Sequence, residues 1–322
     1  MRVHLNQAIA MLKAGEVVAI PTETVYGLAA DATNELALRQ IYAVKQRPAD
    51  NPLIVHIGDM AQVVDWAAEF SPLAQKLALA FWPGPFTLVL PAKDTVSAVV
   101  RANEPTVALR VPSHALTLQL LNESGLALAA PSANKYTQLS PTTAAHVTAG
   151  LGDEIAVLDG GACQVGIEST IVSVAGDNWQ LLRHGMITEA QISAIAGKST
   201  IVGAANLPKA PGQHLLHYSP KTPVKLFDSL AKLTAYQQNS THICADLTCA
   251  ALIIDDNASQ PLSANFHCIH LPRNAAYVAE HLYESLHRLD ALNVAQLLVL
   301  MPPNTPEWLA ILDRLKRAAH GI

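Results

Sequence analysis

Residues 21–32 read Pro-Thr-Glu-Thr-Val-Tyr-Gly-Leu-Ala-Ala-Asp-Ala, and they follow an apolar run at residues 17–20. A short apolar run of this kind predicts a buried strand. The strand ends in a proline and three polar side chains, and Gly27 then allows a close backbone approach. In α/β folds, ligands bind where strands end in this way. The stretch therefore predicts an α/β fold with a ligand site here, and a polar turn between two core elements is the alternative.

The composition favours a well-buried protein. Half of the 322 residues are hydrophobic and 15% are charged, below the usual charged share of about 25%. The net charge of −5 argues against binding to nucleic acid by bulk charge, although a local basic groove stays open. No run approaches the roughly 18 apolar residues of a membrane span, and the N-terminus lacks the pattern of a secretory signal. We therefore expect a cytoplasmic protein with no membrane partner.

The four cysteines do not indicate a disulfide-bonded fold or a zinc site. In a chain of 322 residues they are too few for a disulfide-dense fold. Cys244 and Cys249 lie close together in the sequence, but no second pair has the spacing of a zinc site. The histidines and carboxylates also show no compact cluster. We therefore expect no metal held by protein ligands alone.

The chain divides into three segments by composition. Residues 1–203 alternate strands and helices and form the first domain. Residues 204–222 contain three prolines and are interpreted as an ordered linker. Residues 223–322 alternate β and α elements again, with a strand near residue 243, which predicts a smaller Rossmann-like domain with a parallel sheet. This domain has no G-x-G-x-x-G turn, so a dinucleotide site there is not supported.

Capping residues predict several helix boundaries in the first domain. Asn34 and Ser71 each precede a helix that they can cap. The apolar spacing over residues 60–68 predicts one continuous amphipathic helix. Ser140 followed by Pro141 predicts the start of another helix, because proline is favoured at the first helical position.

Four cations lie at or near the ends of predicted elements in the first domain, which has no phosphate-binding loop and no nucleophile elbow. Arginines in such places bind phosphate or carboxylate with two parallel hydrogen bonds. The set suits a nucleotide together with a small zwitterion, and group transfer that depends on positioning and charge neutralisation. Surface ion pairs are the alternative. The cations are Lys45, Arg47, Arg110 and Arg183, and the neutral polar residues near them are Thr24, Ser132, Asn134, Ser140, Ser169 and Thr170.

Six segments of the first domain occur in a characteristic order. They are residues 21–32, 45–53 (Lys-x-Arg-Pro followed by Asn-Pro-Leu), 82–87 (Trp-Pro-Gly-Pro-Phe-Thr), 107–112 (Val-x-x-Arg-x-Pro), 131–134 (Pro-Ser-Ala-Asn) and 166–170 (Gly-Ile-Glu-Ser-Thr). Together they resemble the YrdC/Sua5 family of threonylcarbamoyl-AMP synthases. Residues 210–212 (Ala-Pro-Gly) and 217–220 (His-Tyr-Ser-Pro) resemble the linker of the two-domain Sua5 type, so the resemblance covers the whole chain. Thr137 departs from the pattern, because the family often has glycine there.

The resemblance implies a fold and an activity. The fold is an α/β domain with a twisted, mostly open sheet around a large concave cavity, followed by a smaller Rossmann-like C-terminal Sua5 domain. The activity joins L-threonine, bicarbonate or CO2, and ATP into threonylcarbamoyl-adenylate and releases pyrophosphate, with Mg²⁺ accompanying the ATP. A downstream tRNA threonylcarbamoyl-transferase complex would use this product for the t6A modification at tRNA position 37. Weak RNA binding is a further expectation.

Two other interpretations stay open. One is a non-enzymatic module for RNA binding or ribosome maturation, since the cavity of the family is positive. The acidic net charge and the lack of aromatic stacking motifs argue against it. The other is carbamoyl transfer of the hydrogenase-maturation type, which normally comes with acylphosphatase and zinc-finger modules that this sequence does not show.

The resemblance also implies site residues, motif by motif. Lys45 and Arg47 are the expected catalytic residues, because their charges would offset the charge that develops on the leaving pyrophosphate. His56 as a base for the threonine ammonium is a hypothesis, and a structural histidine is the alternative. The expected threonine contacts are Thr24, His56, Arg110, the backbone near Ala130, and Ser169. The expected ATP contacts are Arg47, Asn51, Thr106, Ser132, Ser140, Arg183 and, from the linker, Tyr218.

Overall fold

The structure is a computed structural model that describes residues 1–199, 208–212, 217–239, 249–256 and 267–320. The chain forms two compact units. The first comprises Met1–Tyr136 and Ser140–Gln213, and the second comprises Thr137–Leu139 and His214–Ile322. Within the described ranges, no helix has both the length and the apolar character needed to cross a bilayer. The strand predicted near residue 243, and parts of the predicted linker at 204–207 and 213–216, lie outside the described residues.

The first unit is organised around a mixed sheet, as predicted. Among the residues that the structure describes, ten strands pair in the order β1-β8-β2-β3-β7-β4-β6-β5-β9-β10. Parallel and antiparallel neighbours alternate irregularly along this order. The strands are β1 (Arg2–Val3), β2 (Val18–Ile20), β3 (Gly27–Asp31), β4 (Ile54–His56), β5 (Phe86–Pro91), β6 (Thr106–Arg110), β7 (Leu128–Ala129), β8 (Ala156–Leu158), β9 (Thr170–Ala175) and β10 (Asn178–Arg183).

Helices of the first unit begin at the predicted caps. The side chain of Asn34 accepts hydrogen bonds from two backbone amides of the next helix, and Ser71 accepts one from Ala74. Both caps satisfy donors that a helix N-terminus otherwise leaves unpaired. The helices are α1 (Leu5–Lys13), α2 (Glu35–Lys45), α3 (Val63–Trp66), α4 (Pro72–Phe81), α5 (Ala115–Ser124), α6 (Ala144–Leu151) and α7 (Glu189–Ala196).

The continuous helix predicted over residues 60–68 is wrong. A 3-10 turn at Met60–Gln62 leads into the four-residue α3, and Ala67 already has an extended backbone. Ala67 forms an antiparallel bridge with Ala92. The backbone pairing with a distant segment therefore ends a helix that the local apolar spacing would have continued.

The helix start predicted at Ser140 is also wrong. Helix α6 begins at Ala144, and its N-cap is Thr143, whose side chain accepts from His146. Ser140 is fully buried and donates instead to Oε1 of Glu168 across 2.6 Å. The hydroxyl of Ser140, which the local pattern predicted to cap a helix, thus forms a hydrogen bond with a residue 28 positions away.

The stretch 21–32 forms a tight turn between two strands. Strand β2 precedes it, and β3, which begins at Gly27, pairs antiparallel with β2. A Cβ at Gly27 would lie 3.0 Å from the Cβ of Ala130 and 3.2 Å from its carbonyl oxygen. Glycine therefore suits this position, because β3 passes close to Ala130 and a larger residue would be crowded by it.

The second unit contains a parallel sheet, as predicted. Among the described residues, its strands pair in parallel in the order β11-β14-β12-β13. The strands are β11 (Val224–Phe227), β12 (Ala250–Ile254), β13 (His267–Leu271) and β14 (Leu297–Leu300). The described helices of this unit are α8 (Leu230–Asn239), α9 (Ala275–Asp290) and α10 (Leu309–Ala319).

Candidate functional site

Polar residues meet at one edge of the first sheet, where four neighbouring strands begin or end. Strand β4 ends at His56, which is paired in parallel register with Arg110 at the end of β6. Strand β5 runs antiparallel to β6, so its first residue, Phe86, lies at the same edge. Phe86 is in register with Thr170, the first residue of β9. The fold therefore places the end of the Arg110 strand near the start of the strand that follows Ser169.

Arg110 is a buried guanidinium with three protein acceptors. Its Nη2 donates to Oε1 of Glu23 across 2.6 Å, and its Nη1 donates to Oγ1 of Thr24 across 2.9 Å. Its Nε donates to the carbonyl oxygen of Gly84 across 3.1 Å. A guanidinium carries five N–H groups, so the hydrogen bonds to described residues account for three of them and leave one on each terminal nitrogen. The structure thus brings Thr24 and Arg110 together and adds Glu23, to which the sequence assigned no role.

The pair of Glu23 and Arg110 is ionised in its buried setting. Burial alone would raise the pKa of Glu23, but the charge and the hydrogen bond of Arg110 outweigh it and hold this pKa below its ordinary value. The two side chains are 5% and 4% exposed. Taking two charges out of water costs about as much as their attraction returns. The ion pair therefore adds little net stability, and its main effect is to fix the orientation of the Arg110 guanidinium.

His56 is a neutral imidazole beside this pair. Burial lowers the pKa of His56 to about 3, and the nearby charge of Arg110 acts in the same direction, whereas Glu23 opposes it. An imidazole that resists protonation is a weak base. This environment argues against His56 as the base for the threonine ammonium and suits a hydrogen-bonding role.

Ser169 and Arg183 are in direct contact, although the resemblance assigned them to different substrates. Nη2 of Arg183 donates to Oγ of Ser169 across 3.1 Å, and its Nε donates to the carbonyl oxygen of Ser169 across 3.0 Å. The hydroxyl of Thr87 lies 2.8 Å from Oγ of Ser169. The third Arg183 nitrogen, Nη1, donates to the carbonyl oxygen of Pro211. The threonine set and the ATP set therefore share one hydrogen-bonded cluster.

Lys45 is fastened to the turn that contains Ser132. Its Nζ donates to the carbonyl oxygens of Ser132 and Asn134 across 2.5 and 2.6 Å. Burial, with a further contribution from the charge of Arg47, lowers the pKa of Lys45 well below its ordinary value. An anion beside Lys45 would reverse this shift, because it favours the charged amine. Arg47 itself donates to the carbonyl oxygen of Pro52 across 3.2 Å.

The remaining predicted ATP contacts of the first unit are Thr106, Asn51 and Ser140. Thr106 begins β6, four residues before Arg110, which at about 3.3 Å per residue is roughly 13 Å along the strand. Asn51 donates from its side chain to Asp50. The hydroxyl of Ser140 donates to Glu168. Contacts of these three residues with ATP stay predictions.

Ala130 was predicted to contribute its backbone. Its N–H donates to the carbonyl oxygen of Ile54 across 3.1 Å, so this amide is used in pairing β7 with β4. Its carbonyl oxygen lies close to Gly27. Because the N–H of Ala130 is already bonded, the predicted backbone contact with threonine would have to use the carbonyl oxygen, and it stays a prediction.

Tyr218 belongs to the second unit and is described with it. The ring is 1% exposed, and its backbone φ is +60°, a conformation that bulky residues rarely adopt. The ring centroid lies 4.0 Å from that of His217 and 5.9 Å from that of Tyr283, and the guanidinium carbon of Arg314 is 5.1 Å away. These neighbours hold the strained conformation, and a contact of Tyr218 with ATP stays a prediction.

Sequence reasoning missed four residues of these clusters. Thr22 and Glu23 precede Thr24 in the turn, Thr87 supports Ser169, and Glu168 accepts from Ser140. Glu23 and Glu168 carried a usable signal. Each is a carboxylate directly before a predicted contact residue, and buried carboxylates are rare without a partner.

The described residues offer no ready metal site. No three His, Cys, Asp or Glu side chains within them lie close enough to hold an ion together. A separate cavity of about 360 Å³ in the first unit is lined by residues that include Trp66, Val96 and Ala127. None of the predicted site residues lines it, so we do not assign the function to this cavity.

Comparison of the sequence with known protein families identifies two matching family models. The Sua5/YciO/YrdC family model, which carries the description "Telomere recombination", matches residues 10–185. A second model, described as "Threonylcarbamoyl-AMP synthase, C-terminal domain", matches residues 187–320. The chain belongs to the Sua5/YrdC family. Its two matches cover both units, so it is a two-domain member, as the resemblance implied.

Named relatives of this Sua5/YrdC family member support the same assignment. A threonylcarbamoyl-AMP synthase of Bacillus subtilis is 39% identical over 99% of this chain and 93% of its own length. One of Pyrococcus abyssi is 33% identical over 97% of this chain and 93% of its own length. The crystal structure of P. abyssi Sua5 complexed with L-threonine matches with a TM-score of 0.88 and 32% identity, covering 99% of this chain and 96% of that one. The predicted fold is therefore confirmed.

Proposed function

We propose that the chain is an L-threonylcarbamoyladenylate synthase, which joins L-threonine, CO2 from bicarbonate, and ATP, and releases pyrophosphate. The observation that supports it best is Arg110, a buried guanidinium with two N–H groups left over, in a chain whose fold matches a threonine-bound relative. In this proposal the product serves t6A formation at tRNA position 37 in the cytoplasm, through a tRNA threonylcarbamoyl-transferase complex.

On the threonine side, Arg110 would receive the substrate carboxylate. Its remaining N–H groups suit a carboxylate, because charge-assisted hydrogen bonds of this kind are short and strong. Glu23 and Thr24 already fix the plane of the guanidinium. His56, neutral and buried beside it, would donate or accept a hydrogen bond without adding charge. The site would therefore bind a zwitterion with little rearrangement, which is the benefit of pre-organisation.

On the nucleotide side, the phosphates of ATP would lie near Lys45 and Arg47. Both residues are tied by hydrogen bonds to backbone carbonyls, so their charges are held in place. Fixed charges aimed at the position where negative charge develops stabilise a transition state. Ser140 and Arg183, which are bonded to Glu168 and Ser169, would complete the nucleotide site. The contact of Tyr218 with ATP is part of the same proposal.

Two bond-forming steps then suffice. The threonine ammonium loses one proton to solvent, its nitrogen forms a bond to the carbon of CO2, and loss of a second proton to solvent gives a carbamate. A carbamate oxygen attacks the α-phosphorus of ATP, and the bond between that phosphorus and the pyrophosphate oxygen breaks. Such a transfer depends on positioning and charge neutralisation more than on a side-chain nucleophile.

Mg²⁺ is proposed to enter as the ATP complex. The described residues include no three-donor metal site, and Mg²⁺ commonly binds through substrate phosphates with one or two carboxylates. When bound, it would supply charge neutralisation at the phosphates. Glu168 is a buried carboxylate that accepts a hydrogen bond from Ser140, one of the predicted ATP contacts.

The test is a direct assay of the purified protein. It is mixed with ATP, Mg²⁺, L-threonine and bicarbonate, and pyrophosphate release is measured against a control without threonine. We expect threonine-dependent release and a product with the mass of threonylcarbamoyl-adenylate. An Arg110→Lys variant should lose the threonine-dependent part of the pyrophosphate release. Arg39→Lys, which changes an exposed ion pair, should keep it. Pyrophosphate release that is equal with and without threonine would refute the proposal and favour the RNA-binding alternative.

A further inference from the structure

The hydroxyls of Thr87 and Ser169 share a hydrogen bond in the interior of the first unit. Oγ1 of Thr87 lies 2.8 Å from Oγ of Ser169, and the two residues are 0% and 1% exposed. Nη2 of Arg183 donates to the same Oγ of Ser169 across 3.1 Å. Buried polar groups are almost always paired, so the protons of these two hydroxyls can be traced.

Thr87 lies between Arg110 and Ser169 on one face of the first sheet. Its strand, β5, pairs with β6 on one side and with β9 on the other. The antiparallel register of β5 and β6, continued by one residue, sets Thr87 opposite Arg110. Thr87 also pairs with Ile171 of β9, and Ser169 precedes Ile171 by two residues. Paired residues share a face and every second residue returns to it, so all three side chains belong to the predicted threonine side.

The two hydroxyls carry two protons, and their shared bond uses one. A hydroxyl has one proton to donate and two lone pairs that accept, whereas the guanidinium of Arg183 only donates. Within the part of the chain that the structure describes, Oγ1 of Thr87 has no hydrogen-bond partner except Ser169. Oγ of Ser169 has none there except Thr87 and Arg183. One of the two protons is therefore left for an acceptor from outside these residues.

The complete burial of Thr87 decides which proton that is. If Ser169 donated to Thr87, the proton of Thr87 would stay unpaired at a side chain that is 0% exposed, and an unpaired buried donor is costly. If Thr87 donates to Ser169, the remaining proton belongs to Ser169, the residue with a predicted substrate contact. A substrate acceptor then pairs every proton. In the bond between the two hydroxyls, Thr87 is therefore the donor when substrate is bound.

We propose that Thr87 is a positioning residue, which holds the hydroxyl of Ser169 as a hydrogen-bond donor to the carboxylate of the amino-acid substrate. This role rests on the function proposed above, which places L-threonine beside Arg110. With lone pairs occupied by Thr87 and Arg183, Ser169 can donate but cannot accept from the substrate ammonium. A carboxylate only accepts and has about four lone-pair sites, so it can bind Arg110 and Ser169 together.

Thr87 acts through the direction and the strength of the Ser169 donor. A hydroxyl that accepts hydrogen bonds becomes a stronger donor, because linked hydrogen bonds polarise one another. The charge-assisted bond from Arg183 acts in the same sense. Without the hydroxyl of Thr87, the proton of Ser169 is free to turn away from the substrate, and part of the pre-organisation is lost. Binding of the amino acid should then weaken, whereas binding of ATP should not.

The test compares Thr87→Val, which keeps the β-branched shape and removes the hydroxyl, with Thr87→Ser, which keeps the hydroxyl. Calorimetry measures the affinities for L-threonine and L-2-aminobutyrate, and pyrophosphate release gives KM for threonine and for ATP. We expect Thr87→Val to weaken both amino acids about fivefold, as for one lost hydrogen bond, because both carry the carboxylate. KM for ATP should change less than about twofold, and Thr87→Ser should stay within about twofold of wild type. Thr148→Val removes a hydroxyl that donates to Ala144 on α6, and it should bind like wild type.

A double variant separates positioning from packing. Ser169→Ala removes the group that Thr87 is proposed to position. Adding Thr87→Val to Ser169→Ala should therefore change the threonine affinity less than about twofold, because interacting residues are not additive. A purely structural effect of Thr87 would instead add the same loss in both backgrounds.

Three results would overturn the proposal. Unchanged or tighter threonine binding by Thr87→Val would show that Ser169 is the donor in the shared bond. A loss confined to threonine would show that Ser169 donates to the β-hydroxyl, which 2-aminobutyrate lacks. An undiminished loss in the Ser169→Ala background would show that Thr87 acts without Ser169. If Thr87→Val does not fold, Thr87→Cys replaces it with the same expected loss, because a thiol is a weak donor.

The binding measurement also separates this role from the proposed function. A wild-type protein that binds threonine but releases no pyrophosphate with it refutes the proposed function alone. The affinities of wild type and Thr87→Val then still decide whether Thr87 positions Ser169. A wild-type protein that does not bind threonine would refute both.

Discussion

Nη2 of Arg110 lies 2.6 Å from Oε1 of Glu23, and both side chains are at least 95% buried. The two residues are 87 positions apart in the sequence, so the contact exists only because β6 ends beside the turn that follows β2. A guanidinium held on one side by a carboxylate keeps its orientation when the ligand site is empty. We therefore expect Glu23 to act on the substrate through Arg110.

Glu23→Gln tests this relationship. The amide keeps the shape and one acceptor but removes the countercharge, so we expect KM for threonine to rise about tenfold, which corresponds to about 1.4 kcal/mol, with KM for ATP unchanged. Glu23→Ala should lower the free energy of unfolding by about 3–5 kcal/mol, because it leaves a buried charge unpaired. Glu35→Gln is the control, since its ion pair with Arg39 is exposed and exposed ion pairs contribute little to stability. Equal threonine KM values for wild type and Glu23→Gln would contradict the positioning role.

Lys45 should couple ATP binding to proton uptake. Its pKa is lowered by burial and by Arg47, and a polyanion beside it should raise that pKa again. Titration calorimetry in buffers of different ionisation enthalpy measures the protons taken up per ATP bound. We expect a net uptake that Lys45→Met lacks and that Lys76→Met, an exposed site on α4, retains. The same proton count in all three proteins would show that Lys45 does not face the phosphates.

His56 should make the protein less stable in mild acid. The ordinary pKa of histidine is 6.5, and that of folded His56 is about 3. Between these values the unfolded chain binds a proton that the folded chain does not, so stability is fully present above pH 6.5 and falls toward pH 3. The slope is at most about 1.4 kcal/mol per pH unit. Urea unfolding from pH 7 to pH 4 should show a shallower decline for His56→Asn than for wild type.

A matched variant controls for the other acid-sensitive groups. His270→Asn changes a histidine that is exposed on β13, and it should follow the wild-type pH profile. Parallel profiles for His56→Asn and His270→Asn would mean that His56 titrates normally in the folded protein.

Thr137→Gly should stabilise the protein. Thr137 has a backbone φ of +67°, and its carbonyl oxygen accepts from the amide of Ser219, which fixes this conformation. A β-branched residue in this region is strained by about 1–3 kcal/mol, whereas glycine adopts it freely at some cost in unfolded-state entropy. We expect a net gain of about 1 kcal/mol in the free energy of unfolding. Thr148→Gly, in helix α6, should instead lose about 0.5 kcal/mol, and a loss at both sites would rule out strain at Thr137.

The sequence predicted features that depend on neighbouring residues. Asn34 and Ser71 cap helices as expected, because a cap needs only the next three amides. At Thr137, where the family often has glycine, the sequence predicted no backbone conformation, and the structure shows a left-handed one. The apolar run before residue 21 became strand β2. The order of the motifs also identified the family, which the comparisons confirm.

The tertiary structure decided which polar groups share their hydrogen bonds. Ser140 donates to Glu168 and does not cap a helix. Arg110 donates to Glu23 and Thr24, which lie more than 80 residues away in the sequence. Local propensities extend over a few residues, whereas strand order joins segments from across the chain. By itself, the sequence of residues 21–32 determined a polar turn with a hydroxyl at position 24. Only the fold placed the guanidinium of Arg110 against that hydroxyl, because its partner lies 86 positions away and local sequence preferences do not extend that far.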